Sequence, residues 1–270
     1  MRVRAPTRNM ISKIRKDLAK YLPYSLEETR ATLLAEVSTM HLGWLWWILT
    51  PLSQMLAYMI IFGFIFNART EYYPAFIFIG IAAWRFFAGN LTSSAKLIRS
   101  YKAMLRKVYL PRFILVLTQL LCNGFRMLVA FCLVFALMVL YRIPPTLSML
   151  SIVPLLVLLA VLSFGSSALS LHVGVYWNDL ENLLPVALRL IMYFTGIFYS
   201  ISDLIPGKLG FLAIHLNPLA FIMDSLREVL LFGGTVEWGW FWLWLIVGIA
   251  VCWVSLAILY RYGNRYLKVV

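Results

Sequence analysis

The sequence predicts an all-α polytopic membrane protein with six transmembrane helices, N-terminal amphipathic interfacial helices and an external re-entrant helical hairpin between spans 5 and 6. Three observations carry that prediction. Six apolar segments, 43–66, 74–92, 113–141, 148–176, 184–200 and 239–260, approach or exceed the roughly 20 residues that cross a hydrocarbon core of about 30 Å. None of the six contains an aspartate or glutamate. The chain is 62% hydrophobic with a mean hydropathy of +0.84, beyond the roughly half-apolar balance of soluble domains.

Residues 1–42 form a separate, interfacial region. Met10, Ile11, Ile14, Leu18 and Tyr21 recur at helical spacing beside Lys13, Lys16 and Lys20, so one helix can lie along a leaflet. Pro23 predicts a break, and Ser25 with Glu28 three residues later forms a capping-box pattern that starts a second helix. Basic residues set the orientation, because lysine and arginine in short loops stay on the cytoplasmic side. Eight precede Gly43 and six more lie between Lys96 and Arg112, which predicts both termini inside and the 67–73, 142–147 and 201–238 connections outside. This asymmetry accounts for most of the net charge of +13 and excludes nucleic acid as the implied partner.

The spans themselves carry little ionisable chemistry. Cys122, Cys132 and Cys252 are scattered singly and read as small buried residues, and His41, His172 and His215 share no metal-ligand spacing. Arg85, Arg126 and Arg189 are the only charges within spans. A charge at the bilayer centre costs about 2.5–3.5 kcal/mol, so Arg85 and Arg126 need carbonyls, water or an anionic ligand, whereas Arg189 can snorkel to the surface. Guanidinium forks match phosphate oxygens, which makes these three candidates for phosphate contact. Between spans 5 and 6, region 202–232 is too apolar for a plain loop and is broken by Pro206, Gly207, Asn217 and Pro218, which suits short helices dipping into the outer leaflet and gating the exit. Asp224, Arg227 and Glu228 sit at offsets that allow local ion pairs.

Specific patterns begin at the first span. Leu42-Gly43, Trp46 and Pro51 spell LGxxWxxxxP; Tyr73-Pro74, Gly80 and Trp84-Arg85-Phe86-Phe87 follow; Lys107 to Arg112 closes the next loop; Tyr176 to Leu180 and Asn217-Pro218 with Arg227 come later. In that order they resemble the membrane subunit of type-2 ABC exporters of lipid-linked polysaccharide, the O-antigen and wall teichoic acid permease family. Asn178 stands where many members have arginine, and Thr195-Gly196 where many have Ser-Pro. The resemblance implies a homodimer working with two copies of a separate ATP-binding subunit, in a bacterial plasma (inner) membrane. It further implies that ATP and magnesium belong to that partner and that this chain is a transporter subunit with no catalytic residue and no cofactor of its own, in keeping with the lack of any GxxxxGK followed by Ser or Thr.

By the same analogy, Tyr58, Phe62, Phe66, Trp84, Phe87, Tyr193, Phe194 and Phe198 line an aromatic conduit on which sugar rings slide, with packing as the plainer role for any one ring. Leu97, Tyr101, Met104, Arg106, Lys107, Asp179 and Glu181 couple to the ATPase: the loop mixes apolar with basic residues as a docking helix does. The expected cargo is a polyprenyl-pyrophosphate-linked glycopolymer, with a slight lean to teichoic acid over O-antigen from Thr195 to Phe198. A drug or lipid exporter of the same superfamily shares the topology. A membrane glycosyltransferase fits less well, because only Asp179 and Glu181 lie near the interface and no DxD is present.

Overall fold

The computed structural model describes residues 7–39, 42–65 and 70–269. Among them the chain forms eleven α-helices: α1 (Thr7–Thr39), α2 (Trp46–Tyr58), α3 (Tyr73–Ser100), α4 (Lys102–Lys107), α5 (Arg112–Leu140), α6 (Ile152–Tyr176), α7 (Leu180–Phe194), α8 (Ile201–Leu204), α9 (Lys208–Leu216), α10 (Pro218–Arg227) and α11 (Trp238–Val269). The all-α membrane class is borne out. Five segments are long and apolar enough to span a bilayer: Gly43–Gly63, Tyr73–Ser100, Arg112–Leu140, Leu147–Tyr176 and Trp238–Gly263. Lys208–Leu216 with Pro218–Phe232 makes a further broken element bent by 105° at Asn217, where the hairpin is expected.

α3 is the central post. Its apolar stretch is 67% buried, against 11–28% for the other four, and it packs on α2, α5, α6, α7 and α10. Close approach to α6 depends on Gly174, where an added Cβ would collide with the Ala95 carbonyl. α11 covers the other side of α6, and α1 lies against α5.

Four expectations are corrected. α1 is a single 33-residue helix running through Pro23. Ser25 is fully buried and shares a 3.0 Å hydrogen bond with Thr118, while Glu28 accepts the Tyr101 hydroxyl at 3.4 Å, so the two capping candidates are taken by tertiary partners. Packing on α5 thus keeps helical a proline position that would cost an isolated helix about 3 kcal/mol. Second, α7 covers 15 residues, about 22 Å of rise, and ends at Phe194, short of the expected end at 200. Gly196 follows at φ +70°, a turn that the proline common at this place in the resembled family could not make.

Third, Arg227 is no local helix partner. It is 4% exposed and donates from Nε to Phe76 O at 3.2 Å, from Nη1 to Gly196 O at 2.9 Å and from Nη2 to Ile197 O at 2.9 Å. Its guanidinium carbon also lies 3.5 Å over the Phe76 ring. Gly80 makes room: a Cβ there would stand 2.7 Å from Arg227 Nη2. One buried cation therefore ties α10, α3 and the turn after α7 together. His215 is likewise not isolated, since Nδ1 sits 2.7 Å from Phe211 O and Nε2 2.8 Å from Glu237 Oε2, joining α9 to the start of α11. Cys132 is exposed rather than buried.

Candidate functional site: a cation-lined cavity

A cavity of about 990 Å³ opens between α2, α3, α5 and α7, with Glu36 of α1 in its wall. Arg85, Arg126 and Arg189, which the sequence singles out one span at a time, all line it. Each reaches it by helix phase: Arg85 leaves the α3 face that also presents Ala88, Gly89 and Thr92, and Arg126 leaves the α5 face of Asn123 and Ala130.

The three differ in partners. Arg126 Nη1 donates to Asn123 Oδ1 at 2.6 Å and Nη2 bonds the Glu36 carboxylate, so the expectation that this guanidinium lacks an acid is corrected: α1 delivers one from outside the spans. The network continues, with Trp47 Nε1 donating to Glu36 at 3.3 Å, Asn123 Nδ2 to Asn90 Oδ1 at 2.9 Å, and Asn90 Nδ2 to Phe86 O at 2.8 Å. Arg85 donates to Gln54 Oε1 at 3.2 Å. Arg189 makes no hydrogen bond or ion pair among the described residues and is exposed to the cavity. Three guanidiniums face one carboxylate in this wall, so it presents two uncompensated positive charges.

Four of the aromatic candidates converge. Tyr58 and Phe62 lie 4.3 and 4.9 Å from Phe198, and Tyr193 lies 5.7 Å from it; Tyr58 and Tyr193 also line the cavity. Tyr73 donates to Phe198 O at 2.8 Å, which pins the cluster to the first turn of α3. Trp84 is a largely buried part of the cavity wall, with Phe87 beside it at 6.4 Å. Phe194 points away, 78% exposed, and Phe66 lies outside the described residues.

At the other end of α3, Leu97 is buried, and Tyr101 and Met104 pack on the cluster that holds Leu97, Leu105, Phe113 and Tyr266. Leu97 is thus internal, Tyr101 and Met104 are half-buried, and Arg106, Lys107, Val108 and Tyr109 are among the residues this stretch exposes. Burial, then the Glu28 carboxylate, push the Tyr101 hydroxyl pKa up and keep it a neutral donor. Sequence reasoning overlooked Arg99, whose charge the topology rule had absorbed. Its Nη2 donates to Gly174 O and Asn178 Oδ1, each at 2.7 Å, and its Nη1 to Glu181 at 3.3 Å, with Lys96 4.0 Å from the same carboxylate. Asp179 stays exposed beside them. Glu36, Gln54, Asn90 and Asn123 were also overlooked, although Asn123 and Arg126 stand three apart on one helix face.

In the bent helix pair, Asn217 caps α10, accepting from Leu219 N at 3.1 Å and Ala220 N at 3.4 Å, and Pro218 follows in the first turn. Gly207, after Pro206, opens α9 at φ +86°. The α10 arm is buried, whereas α9 exposes Leu209, Leu212 and Leu216. Among the described residues no group of three His, Cys, Asp or Glu could hold a metal.

Long apolar helices around a cavity walled by cations define a multi-pass membrane transport protein. The profile of the ABC-2 type transporter family matches residues 29–231, and the chain belongs to that family. Curated relatives include an O-antigen export system permease protein RfbA of Klebsiella pneumoniae, 28% identical over 228 residues that cover 84% of this chain and 87% of the relative. A second Klebsiella pneumoniae protein of that name is 27% identical over 229 residues, again 84% and 87%, and one of Myxococcus xanthus is 23% identical over 215 residues, 79% and 82%.

Proposed function

We propose that this chain is the permease of an ATP-driven exporter of a lipid-linked glycopolymer, and that the cavity takes the phosphate-bearing headgroup. The observation that carries this is the convergence of Arg85, Arg126 and Arg189, from three separate helices, on one cavity with a single carboxylate. A volume of about 990 Å³ lies at the upper end of ligand sites, which run to about 1,000 Å³. Guanidiniums bind phosphate by charge and by forked geometry, and the aromatic cluster of Tyr58, Phe62, Tyr193 and Phe198 offers ring faces to the sugars that follow. The names of the relatives favour an O-antigen type of polymer over teichoic acid.

In this reading two copies of the chain pair with two copies of a separate ATP-binding subunit that holds ATP and magnesium. Both termini face the cytoplasm of a bacterial cell, on the side of the basic loops. Force from the ATPase enters at Arg106, Lys107 and Asp179 and passes along α3 through the Arg99 tie to Asn178 and Glu181. The hairpin at Pro206, Gly207, Asn217 and Pro218 gates the outer exit.

The test is export of lipid-linked polymer by the permease and its ATPase in vesicles. Arg85→Gln with Arg189→Gln removes both cations that lack a carboxylate partner, and export is expected to fall at least about tenfold while ATP hydrolysis without cargo persists. Unchanged export would refute the headgroup role, and transport of a free lipid or drug instead of the polymer would reassign the cargo.

A further inference from the structure

We infer that a second anion site, for one phosphate group at the membrane boundary, lies between the start of α5 and the end of the last span. A hollow of about 60 Å³ is lined there by Lys13, Tyr109, Pro111, Arg112, Tyr260 and Gly263, among others. One water needs about 10–15 Å³ by the same measure, so there is room for a phosphate-sized group. Two cations face it from different elements. Arg112 is 7% exposed, yet among the described residues it forms no ion pair; Nη1 donates to Leu110 O at 2.5 Å, and the buried Nε has no acceptor. Lys13 stands 5.3 Å over the Tyr260 ring, at the mouth of the hollow.

Such a guanidinium is costly to bury without an anion. The nearby acid does not serve: Asp17 accepts the Tyr260 hydroxyl at 2.8 Å and is not part of the lining. The level of the hollow indicates what fills it. One candidate span begins at Arg112 and another ends at Gly263, so the hollow sits where apolar helix meets water, the depth of lipid phosphates. The chemistry is that of a phosphate ester or free phosphate. It is distinct from the large cavity, since no residue lines both.

Native mass spectrometry of the full chain in detergent, titrated separately with phosphatidylglycerol, phosphatidylcholine and inorganic phosphate, tests this. Phosphatidylglycerol or inorganic phosphate is expected to bind in preference to phosphatidylcholine, and the arm that binds names the source. Lys13→Gln, at an exposed side chain, should weaken that binding about fivefold, and Arg112→Gln by more. Lys20→Gln, on the same helix but outside the hollow, should leave it unchanged. Binding in neither arm, binding unmoved by Lys13→Gln, or an equal loss with Lys20→Gln would overturn the site.

Discussion

Arg227 and the arginines of the large cavity are the same side chain in opposite conditions. Arg227 is enclosed, stacked on Phe76 and donating to three carbonyls of two other segments. Arg85 and Arg189 face open space, with one amide partner for the first and none among the described residues for the second. A membrane protein tolerates a buried guanidinium once backbone oxygens satisfy it, and such a residue then acts as a structural tie. One left partly unsatisfied before a cavity has binding capacity to spare. Satisfaction, more than depth or residue type, separates the structural tie from the proposed binding role.

The strongest contrast comes from Arg227→Gln, which orphans the carbonyls of Gly196 and Ile197 at about 1–3 kcal/mol for each one left buried. Thermal melting in detergent should show a large loss of stability, whereas Arg85→Gln should melt near wild type; equal melting of the two would erase the distinction. Next comes Arg99→Gln, which removes a charged donor from Gly174, Asn178 and Glu181 and loosens the α3 end by about 1.5–3 kcal/mol. Polymer exported per ATP hydrolysed should fall while the ATPase still binds, and an unchanged ratio would remove this tie from the force path. Asn217→Ala deletes the α10 cap and should lower stability by about 1 kcal/mol, read from the same melts. The smallest stability effect, under about 1 kcal/mol, belongs to Glu36→Gln, because the pair with Arg126 is about one-third exposed. That substitution adds a net positive charge to the cavity, so a phosphate-bearing headgroup should bind more tightly; weaker binding would mean that Glu36 orders Arg126 more than it neutralises it.

Local sequence was most readable where one force dominated. The membrane class and positions of five spans follow from apolar length alone, and the sharp bend at Asn217 from Asn217 and Pro218 breaking an apolar run. It was least readable where a distant partner replaced a local one. Ser25 and Glu28 have the spacing of a cap, but Thr118 and Tyr101 take them, and the helix continues through Pro23. Leu97, Tyr101 and Met104 read as one apolar face, and the structure adds that they join the cluster that holds Phe113 and Tyr266.

The sequence by itself determined the solvent of this protein, its helical class and which cations lie within spans, because hydrophobic length and the position of a charge are properties of single segments. Only the tertiary structure decided that Arg85, Arg126 and Arg189 share one cavity, that Glu36 neutralises the second of them and that Arg227 is enclosed by carbonyls. Those outcomes depend on how helices far apart in the chain are rotated against one another, and a hydrogen bond or ion pair forms only where that rotation brings donor and acceptor to about 3 Å.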